Sequence, residues 1–390
     1  MPIINLIAEF HADMTAWRHD FHRHPELGFQ EHRTSAIVAE KLREFGVDEV
    51  VTGIARTGVV GVIRGRPGDD AVGLRADMDA LPIMEETGLP HASTAPGVMH
   101  ACGHDGHTTM LLGAARYLAE TRNFPGTVYV IFQPAEEGQA GGALMVKEGL
   151  FERFPMRMVF GMHNWPQIPA GTFVWRNGPI MAACAEFEIT VTGRGGHAAH
   201  PERTIDPIVT AAHIVTALQS VVSRNVGGAD AGVVTVGHIS GGHAHNVIPQ
   251  TVRLLGTARW FAPEIGDVLE SGVRRVATGV ATSFGANAEV RYERTYIATV
   301  NEEAATALTV KAAAAVTGEA RVAPMPKPTL GGEDFSFMLA AKQGSYIMLG
   351  GGRSESEPML HHPRYDFNDE ILPIGASYWA TLAEQTLSGG

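Results

Sequence analysis

Residues 99–109 read Met-His-Ala-Cys-Gly-His-Asp-Gly-His-Thr-Thr, a thiol and three imidazoles in one short stretch. Cys102 and His104 stand two apart, and Gly103 and Gly106 let the backbone turn tightly enough to aim both side chains at one point. Thiolate and imidazole so placed are donors for a transition metal. Two local donors do not complete a site that needs three or four, so the others must come from distant parts of the chain. The candidates are Glu136 and Glu137 in Gln-Pro-Ala-Glu-Glu-Gly, His163 in Gly-Met-His-Asn, and His361 or His362 in Leu-His-His-Pro. Two adjacent carboxylates cannot both point at one atom without strain, which predicts different roles for Glu136 and Glu137.

Thiolate, imidazole and carboxylate together suit zinc, manganese, cobalt or nickel better than calcium or magnesium, which prefer all-oxygen shells. The set also exceeds what one tetrahedral ion needs, which allows two ions sharing a bridging ligand. The chemistry that follows is hydrolysis: divalent ions polarise a carbonyl and lower the pKa of water to about 7, and a nearby carboxylate, Glu136 or Glu137, takes the proton.

These residues need a scaffold that delivers them to one place. Apolar positions at three- and four-residue spacing predict helices over 3–24 and 32–45. Pro25 ends the first near His22 and His24, which read as packing or supporting groups rather than ligands. Apolar β-branched runs predict strands at 58–63 and 71–74, the second leading to Asp77 and Asp79. A buried helix is expected over 108–118, then strands over 126–132 and 156–161. Glu136, Glu137 and His163 would lie just past the C-terminal ends of those strands, where open α/β sheets bind ligands. A mixed, mainly parallel sheet with helices on both faces is therefore predicted.

The pattern changes near residue 185. Strand 186–192, helix 205–225, strands 232–240 and 250–259, helix 263–284 and strand 287–293 give a β-α-β-β-α-β order of ferredoxin-like type. Helix and strand alternation then resumes, with a helix over 302–316, a strand over 345–350 and a last helix from about 369. The expected organisation is a metal-binding catalytic domain over 1–184 and 296–390, wrapped around an inserted domain over 185–295.

Composition limits the partners. With 390 residues, 45% hydrophobic and 18% charged, the chain is expected to form two well-packed domains. A formal charge of −12 argues against nucleic acid and against anionic membranes. No apolar run approaches the roughly 20 residues that span a bilayer. The first ten residues have no basic region and are interrupted by Asn5 and Glu9, so neither a signal peptide nor an anchor is expected. Two cysteines are too few for a disulfide framework, which suits a cytoplasmic location, and Cys184 reads as a small buried apolar residue.

Phe-His-Arg-His-Pro-Glu-Leu, Arg-Ala-Asp-Met-Asp-Ala-Leu-Pro, His-Ala-Cys-Gly-His-Asp-Gly-His, Gln-Pro-Ala-Glu-Glu-Gly, Gly-Met-His-Asn, Gly-Gly-His-Ala-Ala-His-Pro, Asn-Val-Ile-Pro, Gly-Gly-Glu-Asp-Phe and Leu-His-His-Pro run in order from about residue 21 to 363. In this the sequence resembles the hippurate hydrolase and N-acyl amino acid amidohydrolase branch of the co-catalytic metallopeptidase and aminoacylase family. The resemblance implies Glu136 as general base and Cys102, His104, Glu137, His163 and His361 as metal ligands for one or two ions, with Cys102 in the place of a bridging Asp. His100 and His107 then fall outside the ligand set. Asp77 replaces the family's usual first histidine ligand, and Asp79 matches the aspartate that accompanies it.

The insertion resembles the family's lid and dimerisation domain. His197 matches a histidine that reaches across a dimer to the oxyanion, and Asn246 and Arg259 match positions that hold the substrate's polar end; His200, His243 and His245 receive no role. The resemblance implies a homodimer or homotetramer acting on a small N-acyl amino acid. Three other readings are a carboxypeptidase or dipeptidase of the same fold, a non-catalytic metal-dependent binding protein, and a hydrolase with Cys102 as nucleophile.

Overall fold

A computed structural model describes residues 3–389. They form two compact units, one built from the chain up to Ile180, Thr299–Pro328 and the chain from Asp334 onward, the other from Met181–Ala298 with Thr329–Glu333. The short segment Thr329–Glu333 thus leaves the second half of the interrupted unit and joins the inserted one, a detail the expected boundary at 296 did not contain.

The first unit holds an eight-stranded sheet. Its order is Glu49–Ile54, Gly58–Arg64, Pro125–Gln133, Arg66–Asp77, Met158–Pro169, Gly344–Gly352, Phe173–Trp175, Val322–Pro324. The four central strands, from Pro125–Gln133 to Gly344–Gly352, are mutually parallel, and antiparallel partners flank them. Register pairs Asp77 with Gln133 and His163 with Met348, so the C-terminal ends of neighbouring strands open onto one edge. The helices His104–Thr121 and Leu372–Leu387 are buried along most of their length, and Met110, Leu111, Leu112, Tyr378, Trp379 and Leu382 join the core. Met110, Leu111, Leu112 and Leu382 each contribute about 1.5–3 kcal/mol by leaving water.

Several element boundaries differ from those predicted, each for a local reason. The first helix is two, Asn5–Glu9 and His11–Arg23, divided at Phe10. The buried helix begins at His104, not at residue 108, because Gly103 takes a left-handed conformation (φ 89°) that an L side chain resists, and so starts the helix directly after the turn. His163 lies inside its strand, not past it, since pairing with Gly344–Gly352 carries the strand on to Pro169 beyond the apolar run. The strand Glu49–Ile54 is half-exposed at the sheet edge, and its short mixed sequence carries little periodic signal.

The second unit is a four-stranded antiparallel sheet, Gly232–Ser240, Thr251–Trp260, Ala183–Thr192, Asn287–Tyr296, packed with the helices Pro207–Asn225 and Pro263–Ser283. In chain order its strands lie second, third, first, fourth across the sheet, the ferredoxin-like arrangement. Asp206 caps the first of these helices by accepting from the amides of Ile208 and Val209, and Pro207 supplies the preset φ of a first helical residue. No helix among the described residues is long and apolar enough to cross a membrane.

Candidate metal centre

Cys102 is buried where the turn from Met99 meets the helix at His104, and its Sγ lies 3.4 Å from His163 Nε2. His163 hydrogen-bonds through Nδ1 to the Asn164 carbonyl at 2.6 Å, so the proton sits on Nδ1 and the Nε2 lone pair faces Cys102. Burial, helped by the neighbouring His107, holds His163 well below the usual imidazole pKa, so it is neutral and able to coordinate. His104 donates from Nδ1 to the Asp79 carbonyl at 2.9 Å, while its buried Nε2 has no hydrogen-bond partner.

The tandem carboxylates arrive on a strained turn. Ala135 and Ala140 are left-handed (φ 54° each), as is Gly138, and Glu137 departs from helical geometry inside Glu136–Gln139. Left-handed alanines cost of order 1 kcal/mol each and persist only where the surroundings dictate them. Here they let both carboxylates approach one neighbourhood: an oxygen of Glu136 and one of Glu137 lie within 4.8 Å of each other and of a His104 ring nitrogen. Glu137 Oε1 also lies 3.2 Å from Nε2 of His361, itself left-handed (φ 65°) and half-exposed, whereas Glu136 is buried and accepts from the Asp334 amide at 3.4 Å.

Among the described residues donor atoms thus form five overlapping groups, each within 4.8 Å: Cys102, His104 and His163; Cys102, Glu137 and His361; His104, Glu136 and Glu137; Asp77, His104 and His107; and Glu136, Glu333 and Asp334. Cys102 stands in the first two. His361 rather than its neighbour His362 reaches the cluster, since His362 Nδ1 instead accepts from the Arg364 amide.

The electrostatics call for a cation. Burial and the nearby Glu137, Glu136 and Asp77 push the Cys102 thiol well above its ordinary pKa. Burial alone would lower His104, yet Asp77, Asp79 and Glu137 raise it to about 10, so a proton holds the place a metal would take. A buried imidazole nitrogen without a hydrogen bond and a crowd of carboxylates around a thiol fit a bound divalent ion of borderline softness. Cys102, His104, Glu137, His163 and His361 would hold it. Sequence reading excluded His107 as a ligand; the structure places it, buried, between Asp77 Oδ1 at 2.6 Å and Asn164 Oδ1 at 2.7 Å, where it braces the wall behind His104 and His163. Arg75 completes that wall by bonding Asp77, Gln133 and Asp334, a pairing signalled in sequence only by the motifs that contain them.

If Cys102 is a ligand, its thiol is shielded by bound metal as well as by the fold. A thiol reagent is expected to label Cys102 slowly in metal-loaded protein and several-fold faster after chelation; equal rates in both states would remove Cys102 from the ligand set.

His197, Asn246 and Arg259 all belong to the inserted unit. His197 is exposed on the two-residue strand Gly196–His197, which pairs with Val247–Ile248, and its Nδ1 accepts from the Ala199 amide at 3.1 Å. The adjacent amide of Ala198 donates to the Asn246 carbonyl at 3.0 Å, so this ribbon ties the two loops together. Arg259 lies in the Thr251–Trp260 strand opposite Cys184 and donates to the Ala258 carbonyl.

The sequence matches the model of peptidase family M20/M25/M40 over residues 73–385. The chain belongs to peptidase family M20. Hippurate hydrolase of Campylobacter jejuni is 41% identical over 385 residues, 98% of this chain and 99% of that protein. N-acetylcysteine deacetylase of Bacillus subtilis is 39% identical over 96% of this chain and 97% of its own. The crystal structure of the Bacillus subtilis YXEP protein, described as a dinuclear metal-binding peptidase from the M20 family, superposes with a TM-score of 0.83 at 34% identity, covering 98% of this chain and 99% of that one. This chain is accordingly a hydrolase of the M20 family, with a mainly parallel α/β sheet as its frame.

Proposed function

We propose that this M20 hydrolase cleaves the amide of N-acyl amino acids, releasing a carboxylic acid and a free amino acid, with Glu136 as general base. The observation that carries the reading is the placement of Glu136: a buried carboxylate beside the donor cluster, held by the Asp334 amide, next to a Glu137 that approaches His361. Hippurate hydrolase and N-acetylcysteine deacetylase, similar along nearly their whole lengths, support an N-acyl amino acid as the substrate class.

Bound divalent metal, held by Cys102, His104, Glu137, His163 and His361, would polarise the scissile carbonyl and acidify water at the site. Glu136 accepts a proton from the attacking water and returns it to the departing amine, which must be protonated to leave. Cys102 is committed as a ligand and is not the nucleophile. His197, supplied by a second copy in a homodimer, donates a hydrogen bond to the oxygen that becomes negative in the tetrahedral intermediate, a role in which one donor is worth about 3–4 kcal/mol. Asn246 and Arg259 hold the substrate carboxylate, for which a guanidinium fork offers two parallel hydrogen bonds.

The test is a panel of N-benzoyl, N-acetyl and indole-acyl amino acids together with dipeptides, scored by release of free amino acid from manganese- and zinc-loaded protein. Turnover of at least one N-acyl amino acid, at higher kcat/KM than any dipeptide, is expected. Dipeptide cleavage without N-acyl cleavage would move the protein to the dipeptidase reading.

A further inference from the structure

The motif Glu-Leu-Gly-Phe-Gln-Glu at residues 26–31 takes no part in the site described so far, yet it packs against the turn that carries the tandem carboxylates. Glu31 is fully buried. Its Oε2 accepts from Thr57 Oγ1 at 2.6 Å and its Oε1 accepts from the backbone amide of Ala135 at 2.8 Å, 104 residues away in sequence. Ala135 is the left-handed residue directly before Glu136. The fit between the two segments is close: a Cβ at Gly28 would come within 3.1 Å of Ala135 Cα, and Gln139 Nε2 reaches the Gly28 carbonyl at 3.5 Å.

Two further carboxylates hold the same turn. Asp79 Oδ2 accepts from the Glu137 amide at 2.9 Å, and Asp334 Oδ2 accepts from the Gly142 amide at 2.7 Å. Each backbone amide that the irregular turn leaves without a helical partner at Ala135, Glu137 and Gly142 is therefore met by a buried acceptor from elsewhere in the unit. Asp79 also contacts His104 and Glu137, and Asp334 contacts Glu136. Of the three, Glu31 is bound to the amide of the residue directly before the carboxylates, and its side-chain hydrogen bonds go to Thr57 and Ala135 rather than to a proposed ligand or to Glu136.

We propose that Glu31 is a positioning residue for Glu136 and Glu137: by binding the Ala135 amide while anchored on Thr57, it fixes the left-handed turn that aims both carboxylates into the donor cluster. The proposal rests on the assignment of Glu136 as base and Glu137 as ligand. It is a claim about geometry, not charge. Gln at this position can still accept from Ala135 through its carbonyl and donate to the Thr57 hydroxyl, which accepts as well as donates.

The experiment compares wild type, Glu31→Ala and Glu31→Gln by manganese affinity in chelator competition, by kcat and KM on whichever amide the wild type cleaves, and by thermal melting. Glu31→Ala is expected to weaken manganese binding roughly 10- to 100-fold and to lower kcat on the order of 100-fold with KM nearly unchanged. Glu31→Gln is expected to recover most of both. A folded Glu31→Ala with wild-type manganese affinity and kcat, even if it melts lower, overturns the proposal, as does a Gln variant as impaired as Ala.

Should Glu31→Ala fail to fold, Thr57→Val removes only the anchor, and a drop in manganese affinity of about tenfold is expected; wild-type affinity there overturns the proposal equally. Because the metal readout needs no substrate, a protein that cleaves no N-acyl amino acid but loses manganese affinity in Glu31→Ala would discard the proposed function and keep the positioning role.

Discussion

Glu136→Gln is expected to lower kcat by roughly 10²- to 10⁴-fold, the usual contribution of a positioned general base, while metal content and thermal stability stay close to wild type. The neutral amide is nearly the same size as the carboxylate, and its oxygen can still accept from the Asp334 amide, so the turn has no reason to move. What it loses is the ability to take a proton. Stoichiometric metal analysis beside single-turnover kinetics separates this from a ligand role. A variant that sheds metal along with activity would exchange the assignments of Glu136 and Glu137.

The same variant tests the second copy. Hybrid dimers made by mixing inactive Glu136→Gln with inactive His197→Ala contain one site with both native groups if His197 acts across the dimer, so each hybrid dimer should recover one site's activity, about half that of a wild-type dimer. Verified heterodimers without recovery would confine His197 to its own subunit or remove it from the reaction.

The residues that could be found in the sequence were those whose chemistry is rare or whose spacing is local. Cys102 and His104 stand two apart beside glycines, and Glu136, Glu137 and His163 follow or end apolar runs, so residue type and strand-end position sufficed to nominate them. Their supports were illegible for the opposite reason. Glu31 meets Ala135, and Arg75 meets Asp334, across separations of 104 and 259 residues, and such contacts leave no period in the sequence. His107 falls outside the ligand set that the resemblance implies, and its contact with Asp77 joins two motifs whose pairing no spacing reports. Element boundaries went astray where backbone geometry overrides side-chain pattern. Gly103 starts a helix among polar residues, and sheet pairing carries a strand through His163, neither of which an apolar period reports.

Removing the metal is expected to abolish turnover, and restoring manganese or zinc to recover it. The reason lies in the charges at the cluster. Cys102, Glu136, Glu137, Asp77 and Asp79 crowd together, and against them stand Arg75, already engaged by Asp77 and Asp334, and the proton that the carboxylates force onto His104. A dication displaces that proton and the thiol proton. Both donors have pKa values above their ordinary ones in the metal-free protein, His104 near 10 and Cys102 higher than a free thiol, so metal binding must release protons at neutral pH. The sign follows: affinity rises with pH and falls as the solution is acidified, and His163, which burial holds well below the usual imidazole range, gives no opposing effect. Titrating apo protein with manganese at pH 6, 7 and 8 should show tighter binding at each step and an observed binding enthalpy that differs between buffers of unlike ionisation enthalpy, as proton release requires. Activity that survives exhaustive chelation would point instead to a nucleophilic Cys102, a thiol which, buried among carboxylates, is poorly placed to ionise without a metal.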